Sequence, residues 1–165
     1  RFGYTPIEID SLNLLWDDYR RDGITNLLYN LKNQITNNSL DFEVFASVKI
    51  SPFDSVNKWY QDWPKWISKD LVDGIIVKNN ALDFYDFNYH NAIIKKIYAN
   101  SEYLNKIIIG INLYEINSVN IGNKILYLRL NGFNNISLYP YNEYKNIVNW
   151  YDPVYKAINF NLDND

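Results

Sequence analysis

Cysteine and methionine are both missing from the 165 residues, and histidine occurs once, as His90. Without cysteine there are no disulfides and no thiol chemistry. The compartment stays open, because an exported protein can do without disulfides. One histidine excludes a zinc centre built from several His and Cys of this chain, so neither metal nor cofactor is expected. Neither GxGxxG nor GxxxxGK[ST] occurs, which argues against a nucleotide-binding sheet. No apolar run nears the roughly 20 residues of a membrane-spanning helix. The first residues do not read as a signal peptide. With 16 Lys and Arg against 19 Asp and Glu, the chain has no basic footprint, and nucleic acid is not an expected partner. The start on Arg1 rather than methionine reads as a processed or cut piece.

What is present is apolar and aromatic. The hydrophobic share is 47% and the aromatic share 17%, enough to build one core. Ile24, Leu27, Leu28, Leu31 and Ile35 follow the spacing of an amphipathic helix, stopped by "NNS" at 37–39. "FEVFASVKI", 42–50, reads as a buried strand closed by "SPFD". Asp62 is a good helix N-cap, and Pro64 fits the first turn, where its missing N–H costs nothing. Trp59, Trp63 and Trp66 share a face if that helix reaches back to Trp59, and would pack it on a sheet. "LVDGIIV", 71–77, is the next strand, followed by a helix over 89–98. "KIIIGINLY", 106–114, is a near-continuous apolar strand. Ile121, Ile125 and Leu128 mark another helix, and "GFNNISLYPY", 132–141, a last strand. "NEYKNIVNWY" is expected to be a closing helix, and 153–165 a polar C-terminal tail.

Strands alternating with helices imply βαβ units and a parallel sheet. Such apolar strands suit a sheet covered by helices. Four units make either a small open α/β sheet or half of an eight-stranded barrel.

Four stretches, in order, carry a resemblance. "FGYTPIEIDSLNLLWDDYRRDGITNLLYNL" is similar to the segment after barrel strand four of the glycosyl hydrolase-like family ten proteins. "EVFASVKISPF" looks like their fifth strand. "YQDWPKWISKDLVDGIIVKNN" resembles the family's long pattern QDWxxWLxxGxVDxxxPMxY, and is the most specific of the four. "IIIGINLYEI" and "LRLNGFNNISLYPYNEY" resemble strands seven and eight. The resemblance spans nearly the whole chain, so residues 1–165 form a single domain or part of one. It implies an α/β fold whose parallel βα units are strands five to eight, the C-terminal half of a (β/α)8 TIM barrel. It also implies a glycoside hydrolase-like role on an envelope or extracellular polysaccharide. The partners implied are a glycan and an N-terminal half on the same parent chain, with an exported or envelope-associated location. The family's main acidic residues would precede Arg1. Where the family has Pro-Met-x-Tyr, this chain has Val77-Lys78-Asn79-Asn80, without the aromatic that would line a sugar subsite.

In such barrels the working residues stand at the C-terminal strand ends. Here those are Lys49, Ser51 and Asp54; Lys78, Asn79 and Asn80; Asn112, Tyr114 and Glu115; and Tyr139, Tyr141 and Glu143. A glycosidase needs two carboxyls roughly 5–9 Å apart, one of them held protonated. Asp54, Glu115 and Glu143 are candidates by position only. Lys78, Asn79, Asn80, Asn112, Tyr114, Tyr139 and Tyr141 are candidates to line a saccharide, the rings stacking on sugar faces and the amides bonding hydroxyls. Asp73, near a strand start, reads as a structural hydrogen bond or ion pair. His90 reads as a surface or capping residue, with general acid–base work as the lesser reading. Arg20 or Arg21 could pair with a carboxylate on a neighbouring element, or lie on a solvated face. Besides the hydrolase there are two rival readings. One is a degenerate barrel domain that binds glycan or protein without turnover. The other is a stand-alone flavodoxin-like sheet.

Overall fold

The computed structural model describes residues 14–98, 102–114, 116–140, 147 and 149–160. Helix α1 (Leu14–Asn37) leads to strand β1 (Phe45–Lys49) and two short helices, α2 (Pro52–Lys58) and α3 (Trp63–Ser68). Strand β2 (Gly74–Asn79), helix α4 (Phe84–Tyr98) and a 3-10 turn (Glu102–Lys106) follow. The described elements end with β3 (Ile107–Asn112), α5 (Ser118–Leu130), β4 (Asn135–Tyr139) and α6 (Asp152–Ile158).

The four strands form one open sheet in the order β1-β2-β3-β4, every pair parallel. A flavodoxin-like sheet has a switch point where the strand order reverses. This sheet has none: each strand lies beside the next in sequence, as the strands of a barrel do. Four parallel βα units in sequential order are half of a (β/α)8 barrel, with the ring not closed.

Strand alternation sorts the residues. Val48, Ile75, Val77, Ile107, Ile109 and Ile111 share one face and are buried under the helices. Trp63, Trp66, Ile67, Phe87, Ile94, Ile121, Ile125 and Leu128 pack against them. The opposite face carries Phe45, Ser47, Lys49, Ile76, Lys78, Ile108, Gly110, Ser137 and Tyr139, all half-buried or exposed save Gly110. In a closed barrel this face is the interior. Aromatic rings lie over two of its glycines: a Cβ on Gly74 would meet the Phe45 ring at 2.5 Å, and one on Gly110 would meet Tyr139 at 3.0 Å.

Several sequence expectations need correction. Of the α1 stripe, Leu27 and Leu31 are exposed, while Ile24 and Leu28 pack on the core and Thr25 is buried, accepting a bond from Trp66 Nε1 at 3.0 Å. "SPFD" is the start of α2: Ser51 is its N-cap, accepting from Asp54 N at 3.1 Å, and Pro52 opens its first turn. The three tryptophans do not share a face. Tyr60, at φ 57°, separates α2 from α3, so Trp63 and Trp66 are buried while Trp59 is 52% exposed. Strand β2 runs past Val77 because β3 supplies Gly110 and Ile111 as partners for Lys78 and Asn79. Residues 153–158, expected to begin the tail, lie in α6 (Asp152–Ile158), which buries Val154 and Ala157. Most of the predicted closing helix, 142–146 and 148, lies outside the described residues.

Candidate functional site

The C-terminal ends of β1 and β2 border a groove of about 290 Å³. Lys49, Ser51, Asp54, Trp59, Lys78, Asn79, Asn80, Asp86 and His90 line it. Each is held by a local device. Lys49 N–H donates to Gln61 Oε1 at 3.1 Å, and Lys49 C=O accepts from the buried Ser55 hydroxyl at 2.9 Å. These two bonds fix the end of β1, and the Lys49 ammonium lies 4.9 Å from the centre of the Trp59 ring.

Lys78 faces the same side as Lys49, its direct register partner. Its ammonium lies 5.9 Å from the Tyr139 ring centre. That ring crosses β3 above Gly110, and its hydroxyl donates to Asn80 Oδ1 at 2.6 Å. Burial pushes the Tyr139 hydroxyl up to about 12, so it stays protonated and keeps donating. A glycine on β3 thus lets a residue of β4 brace the end of β2.

Asn79 borders the groove, but its side chain is buried and engaged with the β2–α4 loop. As a strand residue beside Lys78 it points to the helix side, where it is 1% exposed. Its Nδ2 donates to Phe87 O at 3.1 Å and approaches Asn91 Oδ1 at 3.5 Å, and its Oδ1 accepts from Ala81 N at 3.1 Å. It organises the β2–α4 loop. Lys124 helps from α5: its ammonium is buried, donates to Ala81 O at 2.6 Å and Leu82 O at 3.2 Å, and is 4.7 Å from the Phe87 ring centre. Desolvation holds its proton affinity below the ordinary lysine value, against the pull of Asp83.

Of the other predicted site residues, Asn112 is the register neighbour of Tyr139, but its Oδ1 is used by Tyr114 N at 3.0 Å. Tyr114 is exposed at the end of β3. Neither lines the groove. Glu115, Tyr141 and Glu143 lie outside the described residues. Asp54 is paired with Lys58 at 2.8 Å. A hydrogen bond from Lys58 holds the Asp54 carboxyl below its ordinary value, with desolvation opposing it and the charge of Lys58 and a bond from Ser51 adding to it. An ionised Asp54 suits a base or nucleophile and does not suit the protonated acid that glycoside cleavage requires. No cluster of His, Asp and Glu able to hold a metal occurs among the described residues.

Sequence reasoning missed Trp59, Asp86 and His90 as groove residues. His90 lines the groove with its Nδ1 buried and unpartnered among the described residues. A helix spacing existed to find them: Asp86 and His90 are i, i+4 on α4, and so share one face.

The most specific stretch of sequence has a structural explanation. Gln61 ties down β1, and Asp62 caps α3 through Lys65 N at 3.3 Å. Trp63 packs beside Tyr98, ring centres 5.8 Å apart. Asp73 accepts from Lys32 at 2.7 and 2.8 Å and from Val44 N at 2.7 Å, the structural role expected of it. Arg20 and Arg21 find their carboxylates, Asp17 and Asp18, within α1 rather than on another element.

Half a parallel barrel, with this stretch holding strand to helix, is what the resemblance implied. The glycosyl hydrolase-like 10 family model matches residues 4–127, about three quarters of the chain. The chain belongs to that family. No curated protein and no solved structure matches it. The family assignment makes this a glycosidase-like domain, and its rim differs from the family pattern at Val77, Lys78 and Asn80, where β2 meets the groove. No helix among the described residues is long and apolar enough to cross a membrane.

Proposed function

We propose that this chain is half of a carbohydrate-active barrel acting on an envelope or extracellular polysaccharide. An N-terminal half of the parent protein would close the ring, and the protein would work outside the cytoplasm or at the envelope. The observation that carries this reading is the groove at the C-terminal strand ends, where barrel enzymes place their chemistry. It combines an exposed ring for stacking, Trp59, with polar groups for hydroxyls, Asn80 and His90. Hydrolysis needs a protonated acid, a part that does not suit Asp54, whose carboxyl Lys58 holds below its ordinary value. Asp86, which lines the groove, or a carboxyl of the other half of the barrel would supply that acid.

One observation favours a second reading, a domain that binds glycan without turnover. The rim row carries two lysines, Lys49 and Lys78, in place of a carboxyl pair. The test is to incubate the full-length protein with peptidoglycan and with β-linked amino-sugar polymers. New reducing ends are the result expected of the hydrolase. Retention on one polymer without new ends would favour the binding domain, and neither result would refute both.

A further inference from the structure

Lys49 and Lys78 are an unusual pair. Parallel register makes them direct partners on the interior face, with backbones about 4.8 Å apart. Like charges so placed repel each other and weaken a sheet. A chain that needed only structure here would separate or neutralise them. Among the described residues neither ammonium is ion-paired: the ion pairs of the described residues join other cations to their carboxylates. Asp54, the carboxylate at the groove's edge, is spent on Lys58. Asp86 is the other carboxylate lining the groove. Each ammonium instead rests near an aromatic ring, Trp59 for Lys49 and Tyr139 for Lys78. Those rings hold a cation in place without cancelling its charge.

We propose that Lys49 and Lys78 form an anion subsite in the groove, and that the glycan bound there carries a negatively charged substituent, a uronate carboxylate or a phosphate or sulfate ester. This rests on the glycan reading given above. The charged group sits between the two ammoniums and relieves their repulsion, while the sugar ring stacks on Trp59. Asn80 lines the groove and gives its Oδ1 to Tyr139, which leaves its amide N–H₂ to donate to the ligand. His90 contributes a buried ring nitrogen that still lacks a partner among the described residues.

The test is binding by the full-length protein to neutral and anionic oligosaccharides: chitohexaose, a hyaluronan hexasaccharide, and a phosphate-bearing glycan oligomer, with sodium acetate and inorganic phosphate as free-anion controls. Tryptophan emission reports binding, because a ligand that draws Lys49 away changes the surroundings of Trp59. The expected result is that an anionic oligomer binds about tenfold or more tighter than chitohexaose, and that added salt narrows the gap. Lys49→Gln and Lys78→Gln each reduce that preference severalfold, weakening the anionic oligomer more than chitohexaose. Comparing hyaluronan with the phosphate-bearing oligomer identifies which anion is preferred. Both lysines are exposed, and matching circular dichroism of the variants verifies the fold. Equal affinity for neutral and anionic oligomers overturns the subsite and leaves the glycan reading standing. Failure to bind any oligomer overturns the glycan reading itself. Free phosphate binding as tightly as the oligomers would also overturn the proposal, since the sugar would then add nothing.

Discussion

Replacing Asn79 by alanine separates a ligand-binding role from a structural one. The side chain is buried beside the groove and makes two good hydrogen bonds, to Phe87 O and from Ala81 N, with a longer contact to Asn91. Truncation leaves the half-buried Ala81 N–H without its acceptor, at a cost of about 1–3 kcal/mol. The vacated space adds a further loss of about 1 kcal/mol. The sum is about 2–4 kcal/mol, which in a domain of this size lowers Tm by roughly 5–15 °C. Guanidinium unfolding followed by tryptophan emission is the assay, with the buried Trp63 and Trp66 as reporters. Asn79→Asp sharpens it. Its second oxygen would face Phe87 O and Asn91 Oδ1, putting a charge among acceptors in a dry site. Burial raises the folded-state pKa of such a carboxyl, so the variant is relatively most stable at low pH and weakens as pH rises through that value. A Tm within about a degree of wild type, together with weakened glycan affinity, would refute this reasoning and restore Asn79 to the ligand surface.

Three further outcomes are expected. At Asp73, desolvation raises the carboxyl pKa, but hydrogen bonds from Lys32 and Val44 N–H and the charges of Lys32 and Lys106 outweigh it and leave the value below 3.8. That stability is present above the unfolded value and is lost as pH falls through the folded one, so acid unfolding of Asp73→Asn, which lacks the charge, should show a smaller drop below about pH 4. Burial pushes Tyr139, and burial followed by the charge of Asp62 pushes Tyr98, from 10.0 up to about 12. Two tyrosines should therefore ionise late in an absorbance titration, and the stability they contribute should be full below pH 10 and lost between 10 and about 12. Lys124→Met removes the ammonium that holds Ala81 O and Leu82 O. A loss of about 1–2 kcal/mol is expected, with faster hydrogen exchange confined first to residues 80–83; unchanged exchange there would contradict the clamp.

The fold was largely legible because the strands are apolar and evenly interleaved with helices. Ile121, Ile125 and Leu128 were read as marking a helix, and all three are fully buried in α5. The groove was legible only in part. Lys78, Asn79 and Asn80 were read as a loop, with three side chains available to a ligand. Pairing with Gly110 and Ile111 of β3 keeps Lys78 and Asn79 in the strand, and alternation then sends Lys78 to the groove side and Asn79 inward. A single chain cannot reveal that, since strand length is decided by a neighbour about 30 residues away. Trp59 was misread for a similar reason. Its spacing from Trp63 and Trp66 fits a helix face, but the positive φ of Tyr60 interrupts the helix and leaves Trp59 exposed at the rim.

The stretch that identifies the family and the residues that would meet a glycan are almost separate sets. Gln61, Asp62, Trp63 and Asp73 bind backbone, cap a helix, fill the core and tie α1 to the strand starts. All of these are tasks that any barrel built this way must solve, whatever its substrate. Gly74 belongs with them, because the Phe45 ring occupies the place of its Cβ. The groove is instead lined by Lys49, Trp59, Lys78, Asn80, Asp86 and His90, among others. Only two of these six, Lys78 and Asn80, fall where the family pattern specifies a residue, and at both the chain departs from it. Family membership therefore constrains the scaffold far more tightly than the ligand. Substrate chemistry has to be argued from the rim, where Lys49 and Lys78, without an ion pair among the described residues, face the same space.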